Sequence, residues 1–157
     1  MQKIQPLHLV LGGAGLVILG AFLPWVSVSV SLLGESSSHS TNGIDGDGKI
    51  TLLLAIGALV LTVLKNPAQA KLFALLALIA SSLAALIGIY DATQIGGNSE
   101  AKTMMEAMGS GFKVSLGIGL YLTILGGAVA AFGSFKRWQS SAAAPQPPPM
   151  PPAPPQG

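Results

Sequence analysis

Four apolar stretches, residues 7–23, 50–64, 72–90 and 114–135, contain not one Asp, Glu, Lys or Arg between them. No other feature limits the fold so severely. Apolar surface on this scale needs either a large buried core or a bilayer. The chain has 157 residues and 9% charged side chains, too few to coat such a core, since soluble domains carry roughly 25%. The reading is an all-α membrane protein, a four-helix transmembrane bundle. At 15 residues the second stretch covers about 22 Å of a ~30 Å hydrocarbon core and must borrow from its flanks. A helix begun at Asp47 would gain an N-cap there.

The first stretch follows a positive start, as a signal peptide does, but its exit has no small-x-small cleavage site, so it is read as a retained helix. Pro24 ends it and Trp25 marks the interface. Val26, Val28 and Val30 then alternate with Ser27, Ser29 and Ser31, the period of a strand. An isolated strand is unstable, so a return strand is expected within residues 32–44, making a small β-hairpin in the first extracytoplasmic loop. By composition, residues 35–40 read as its mobile polar tip. In the second loop, Asn98 and Gly109 bracket a short amphipathic helix with Ala101, Met104, Met105 and Met108 on one face. The last stretch closes on Lys136, Arg137 and Trp138, a basic and aromatic anchor. Residues 139–157, with eight of the eleven prolines, cannot build a core. The chain divides into a four-span domain, 1–138, and a disordered proline-rich cytoplasmic tail, 139–157.

Charge sets the orientation. Lys3, Lys65, Lys71, Lys136 and Arg137 fall on one side and only Lys49, Lys102 and Lys113 on the other. The first side is therefore cytoplasmic and holds both termini, in a multi-pass protein of the plasma or inner membrane. All six acidic residues lie on the opposite side.

Small residues recur at every fourth position in the third and fourth stretches: Ala77, Ser81 and Ala85, then Ser115, Gly119, Thr123, Gly127 and Ala131. That spacing lets helix backbones approach closely. The two stretches are expected to pack as a hairpin, with a homo-oligomer face as the alternative. Spans one and two offer no matching four-residue ladder. Thr62, Ser81, Ser82, Ser115 and Thr123 are expected to return their hydroxyl bonds to their own helix.

The basic residues are scattered, which argues against nucleic acid, and without Cys there is no disulfide or thiolate chemistry. No charged group lies inside a span, as a carrier would need, and no catalytic constellation emerges, so no enzyme and no cofactor are expected. Residues 45–51, DGDGKIT, copy the middle of a calcium loop, with Asp45 and Asp47 as the metal candidates. The bidentate position would be Leu54, which favours a glycine-rich turn instead. Candidate partner surfaces are the Val26, Val28 and Val30 strand and the Met104, Met105 and Met108 face. The function expected is a non-catalytic accessory or scaffold protein of the cell envelope, with membrane lipid and envelope proteins as partners. Extracytoplasmic ligand or calcium sensing is the alternative.

The layout resembles the claudin-like tetraspan proteins in its four helices, its first span closing on Leu23, Pro24 and Trp25, and the Val and Ser strand that follows. The paired cysteines of that family are absent, so the resemblance implies topology and not junction formation. The layout is also similar to bacterial four-span envelope proteins with proline-rich cytoplasmic tails.

Overall fold

The structure is a computed structural model that describes residues 5–32, 35–64, 66–97, 103, 107 and 112–142. Its long helices are α1 (Pro6–Phe22), α2 (Gly48–Val63), α3 (Ala70–Gly97) and α4 (Ile118–Ala142). Its strands are β1 (Pro24–Leu32), β2 (Glu35–Asn42) and β3 (Phe112–Leu116). α4 packs against both α1 and α3, and α2 bridges α1 and α3. α3 and α4 are long and apolar enough to cross a membrane. At 17 and 16 residues, α1 and α2 reach only about 26 and 24 Å.

The bundle is turned inside out relative to a water-soluble one. Its buried residues are mostly small, including Ala14, Ala21, Ala55, Ala58, Ala74, Ala77, Ala84 and Ala130. The bulky side chains point outward on every helix, among them Leu19, Leu53, Leu86 and Leu125, the second of these 70% exposed. Water would penalise such a surface, whereas hydrocarbon accepts it and leaves close backbone contact as the source of helix association.

That contact is closest along the α1–α4 seam. Pro6 starts α1 at a position where a missing N–H costs nothing, and Pro24 stops it. Within α1, Gly13 lies against Gly126 and Ala130, and Gly20 against Gly119 and Thr123. A Cβ on Gly126 would stand 2.6 Å from the carbonyl oxygen of Gly13, and one on Gly133 would meet the Val10 backbone at 2.9 Å. On another side of α4, Gly127 faces Ala85 of α3. α4 therefore packs on both α1 and α3, correcting the expectation that the first apolar stretch offers no match. Its glycines repeat every seven residues, 13 and 20 against 119, 126 and 133, so a search at four-residue spacing misses them.

The sheet order is β2-β1-β3, both pairings antiparallel. The hairpin appears as expected, but residues 35–40 belong to strand β2 and are not a loose tip. Ser31 pairs with Ser36, Ser29 with Ser38 and Ser27 with Ser40, so backbone bonding overrides a composition that reads as loop. The turn, residues 33–34, lies outside the described residues. β3 is a second correction, since residues 114–116 are not the start of a span. Val114 and Leu116 alternate with Lys113 and Ser115, a strand period hidden at the edge of a long apolar run, and β1 offers a second edge to pair. The chain enters α4 through Gly117, whose N–H donates to the Trp25 carbonyl at 2.7 Å. α3 continues seven residues past Tyr90, and α4 seven past Phe135, so residues 139–142 are helical and only 143–157 lie outside the described residues.

Candidate functional site

The junction between bundle and sheet is built around Trp25. Its indole is buried, and its Nε1–H donates to the Gly20 carbonyl at 2.9 Å, in the last turn of α1, as a second donor beside the Leu23 N–H. Gly43 lies flat on the indole, where any Cβ would collide with the ring, and Gly48 packs in turn on the Gly43 backbone. The Gly43 N–H donates to Leu23 at 3.2 Å and the Leu23 N–H to Gly20 at 3.2 Å. A side chain at the centre of this stack would push β2 and α2 away from β1, which is why glycine occupies those positions.

Beside the stack lies a cleft of about 210 Å³. Trp25, Val26 and Thr41 line one side, the Asn42–Asp47 turn closes the base, and Asp91, Gln94 and Ile95 on the overhang of α3 form the far wall. The two calcium candidates, Asp45 and Asp47, both line this cleft. Among the described residues, no three acidic or histidine side chains come together to hold a metal ion. Asp47 occupies the N-cap position of α2, as expected, but its carboxylate makes no capping bond. Thr51 bonds the Gly48 carbonyl at 3.0 Å instead.

The Asp47 carboxylate faces Asp91, which follows the apolar stretch 72–90. As two carboxylates they can only accept, and Oδ2 of Asp91 is buried with no hydrogen-bond partner. A proton on one of the two carboxyls would supply the missing donor. Burial, then the charge of Asp47, then the hydrogen bond to Asp47 raise the Asp91 carboxyl above its ordinary value. Neither Asp91 nor its pairing was anticipated, because 44 residues separate it from Asp47 and only the antiparallel return of α3 joins them.

The register gives the sheet two unlike faces, since directly paired residues point the same way. Val26, Val28 and Val30 share one face with Val114 and Leu116 and, on β2, with Ser37, His39 and Thr41. Both faces are half-buried along the central strand β1, Ser37, His39, Thr41 and Val114 are exposed on the valine face, and Val26 and Thr41 line the cleft beneath α3. Of the valines proposed from sequence as a partner surface, Val26 lines the cleft, and Val28 and Val30 are half-buried in the central strand, as Ser27 and Ser29 are. The opposite face carries Ser27, Ser29, Ser31, Ser36, Ser38, Ser40 and Ser115, with Lys113 at its margin. Ser36, Ser38, Ser40, Lys113 and Ser115 are exposed. The alternation was legible on β1 alone, and the matching serines of β2 needed the register.

Of the remaining candidates, Ala77 and Ser81 are buried on α3, and Ala85 meets Gly127. Thr123 is buried on α4 and returns its hydroxyl to the Gly119 carbonyl at 3.0 Å. Ala131 is half-buried. Ser115 is a correction, because it belongs to β3 and bonds the Ser27 carbonyl at 3.4 Å instead of a helix. Thr62 and Ser81 are corrections too, since both hydroxyls are buried without a partner. In the second loop Thr103 and Ala107 are helical and exposed, whereas Met104, Met105 and Met108 lie outside the described residues. Compared with known proteins, the chain matches no family model and no curated protein.

Proposed function

We propose that the protein is a non-catalytic accessory or scaffold protein of the cell envelope. It crosses the plasma or inner membrane four times with both termini in the cytoplasm, and holds a small sheet outside for a protein partner. The membrane placement draws its support from the inverted packing of all four helices, including the two short ones, whose bulky side chains face outward. The orientation rests on the distribution of Lys and Arg.

The observation that carries the presenting role is the rigid mounting of a hydroxyl-covered sheet. The Trp25–Gly43–Gly48 stack and the Gly117 bond fix the strands to the bundle, and the exposed β2 edge offers backbone groups beside a serine face. An extended partner segment would add to that edge, with main-chain bonds for affinity and the hydroxyls for selectivity. The proline-rich tail serves as a cytoplasmic tether.

Because the chain has no Cys, every introduced thiol is unique. On intact cells, an impermeant maleimide is expected to label Ser38→Cys, and to label Ser140→Cys only after permeabilisation. The reverse pattern overturns the orientation. A photocrosslinker placed at Ser38 is expected to capture a discrete partner that a crosslinker at Leu53, on the bundle flank, does not. Identical capture from both positions overturns the presenting role.

A further inference from the structure

At the end of the bundle opposite the sheet, a groove of about 450 Å³ opens between the start of α1, the end of α2 and the start of α3. Leu7, Leu11, Val63 and Phe73 make it apolar, and Thr62 and Arg137 are the polar groups at its wall with hydrogen-bonding capacity unspent. Arg137 reaches across from α4, and its Nη2 donates to the Thr62 carbonyl at 3.1 Å, closing the end of α2. Its Nη1 is buried with no hydrogen-bond partner, as is the Thr62 hydroxyl.

Among the described residues no carboxylate stands near this guanidinium. Glu35, Asp45, Asp47 and Asp91 lie between α1 and α2 or in the last turns of α3, toward the sheet end, and Glu100 and Glu106 fall in the sequence between α3 and β3. Among the described residues, two neighbouring cations are engaged elsewhere, Lys71 over the Trp138 ring at 6.0 Å and Lys136 over the Phe132 ring at 5.0 Å. A half-buried, unpaired guanidinium is costly, and an anion brought from outside would relieve it.

We infer that this groove holds one anionic phospholipid, its phosphate on Arg137 and the Thr62 hydroxyl and an acyl chain along Leu7, Leu11, Val63 and Phe73. Arginine suits phosphate through paired N–H donors, and an apolar channel leading away from it suits a lipid better than a free ion. The inference rests on the membrane placement and orientation proposed above, which put the groove in the cytoplasmic leaflet, where anionic lipids are concentrated. It does not depend on the partner outside.

The test uses the full chain, delipidated in detergent and titrated with dioleoylphosphatidylglycerol or dioleoylphosphatidylcholine, with bound lipid counted by native mass spectrometry. The wild-type protein is expected to prefer the anionic lipid about tenfold or more, the scale of one charge-assisted hydrogen-bonded pair. Arg137→Gln should bring that preference within about twofold, and Lys136→Gln should leave it unchanged. Leu11→Trp, which fills the groove and keeps Arg137, should abolish retention of the anionic lipid, and it decides the matter if Arg137→Gln fails to fold. Equal binding of the two lipids, preference surviving in Arg137→Gln, or full displacement by millimolar inorganic phosphate would each overturn the lipid site. Extraction of the wild-type protein from membranes by alkaline carbonate would separately overturn the membrane placement.

Discussion

Two adjacent glycines in α1 make opposite demands on the same substitution. Gly13 lies in the α1–α4 seam, where an added Cβ would meet the Gly126 carbonyl oxygen at 2.5 Å and collide with Ala130. Ordinary contact begins near 3.4 Å, and every obstructing atom is backbone, so no rotamer change relieves it. The helices must separate by about 1 Å along a seam that also joins Gly20 to Gly119, and overpacking of this kind costs about 1–3 kcal/mol. Gly12 has nothing within 4 Å of its added Cβ. There the same change gains only the helix propensity of alanine over glycine, about 0.5–1 kcal/mol. Gly13→Ala and Gly12→Ala should therefore differ by about 1.5–4 kcal/mol, a separation of roughly 3–16 °C in melting temperature for a chain of this size. The assay is thermal unfolding in one detergent, followed by far-ultraviolet circular dichroism. Melting temperatures within a degree of each other would refute the claim that glycine contact, and not apolar content, fixes α1 against α4.

Two further outcomes follow from the sheet end. Trp25→Phe keeps an aromatic ring but removes the indole N–H from the Gly20 carbonyl, which retains the Leu23 N–H, costing about 0.5–1.5 kcal/mol in the same melt; an unchanged melt would reduce Trp25 to an interfacial anchor. Asp91 supplies the pH dependence. The fold raises its carboxyl, so the stability it lends is complete below the free side-chain value near 4 and is lost as pH rises through the folded value. Asp91→Asn should remove that slope and melt higher than wild type at neutral pH, and parallel pH profiles for the two proteins would count against the pairing with Asp47.

The long-wavelength features of this chain were legible in its sequence. Charge-free runs locate the four helices because ions are excluded from both a packed core and hydrocarbon, and the Val26–Ser31 alternation locates β1 because a period of two marks a strand. What escaped notice depended on partners distant in sequence. β3 was absorbed into an apolar run because Val114 and Leu116 suit a helix in lipid as well as they suit a strand, and only the free edge of β1 distinguishes the two. The serines of β2 read as loop because their strand character comes from the register with Ser27, Ser29 and Ser31. Gly13 and Gly20 were passed over for a similar reason, since an isolated glycine pair has no meaning until Gly119 and Gly126 arrive opposite. The Asp47–Asp91 cleft is of the same kind.

The position of β1 at the centre of the sheet also bears on how the protein is made. β1 leaves the ribosome directly behind α1 and can pair with β2 at once, but its other edge must wait some eighty residues for β3, which emerges just before α4. The α1–α4 seam forms from the same pair of segments, the first and last long elements of the chain. Sheet closure and seam closure are thus a single late event, and a chain stalled or truncated before α4 would leave an open strand edge and a bare glycine face together. An unpaired strand edge and an uncovered glycine face are the surfaces through which partly folded chains associate, so completing the sheet and the seam together removes both.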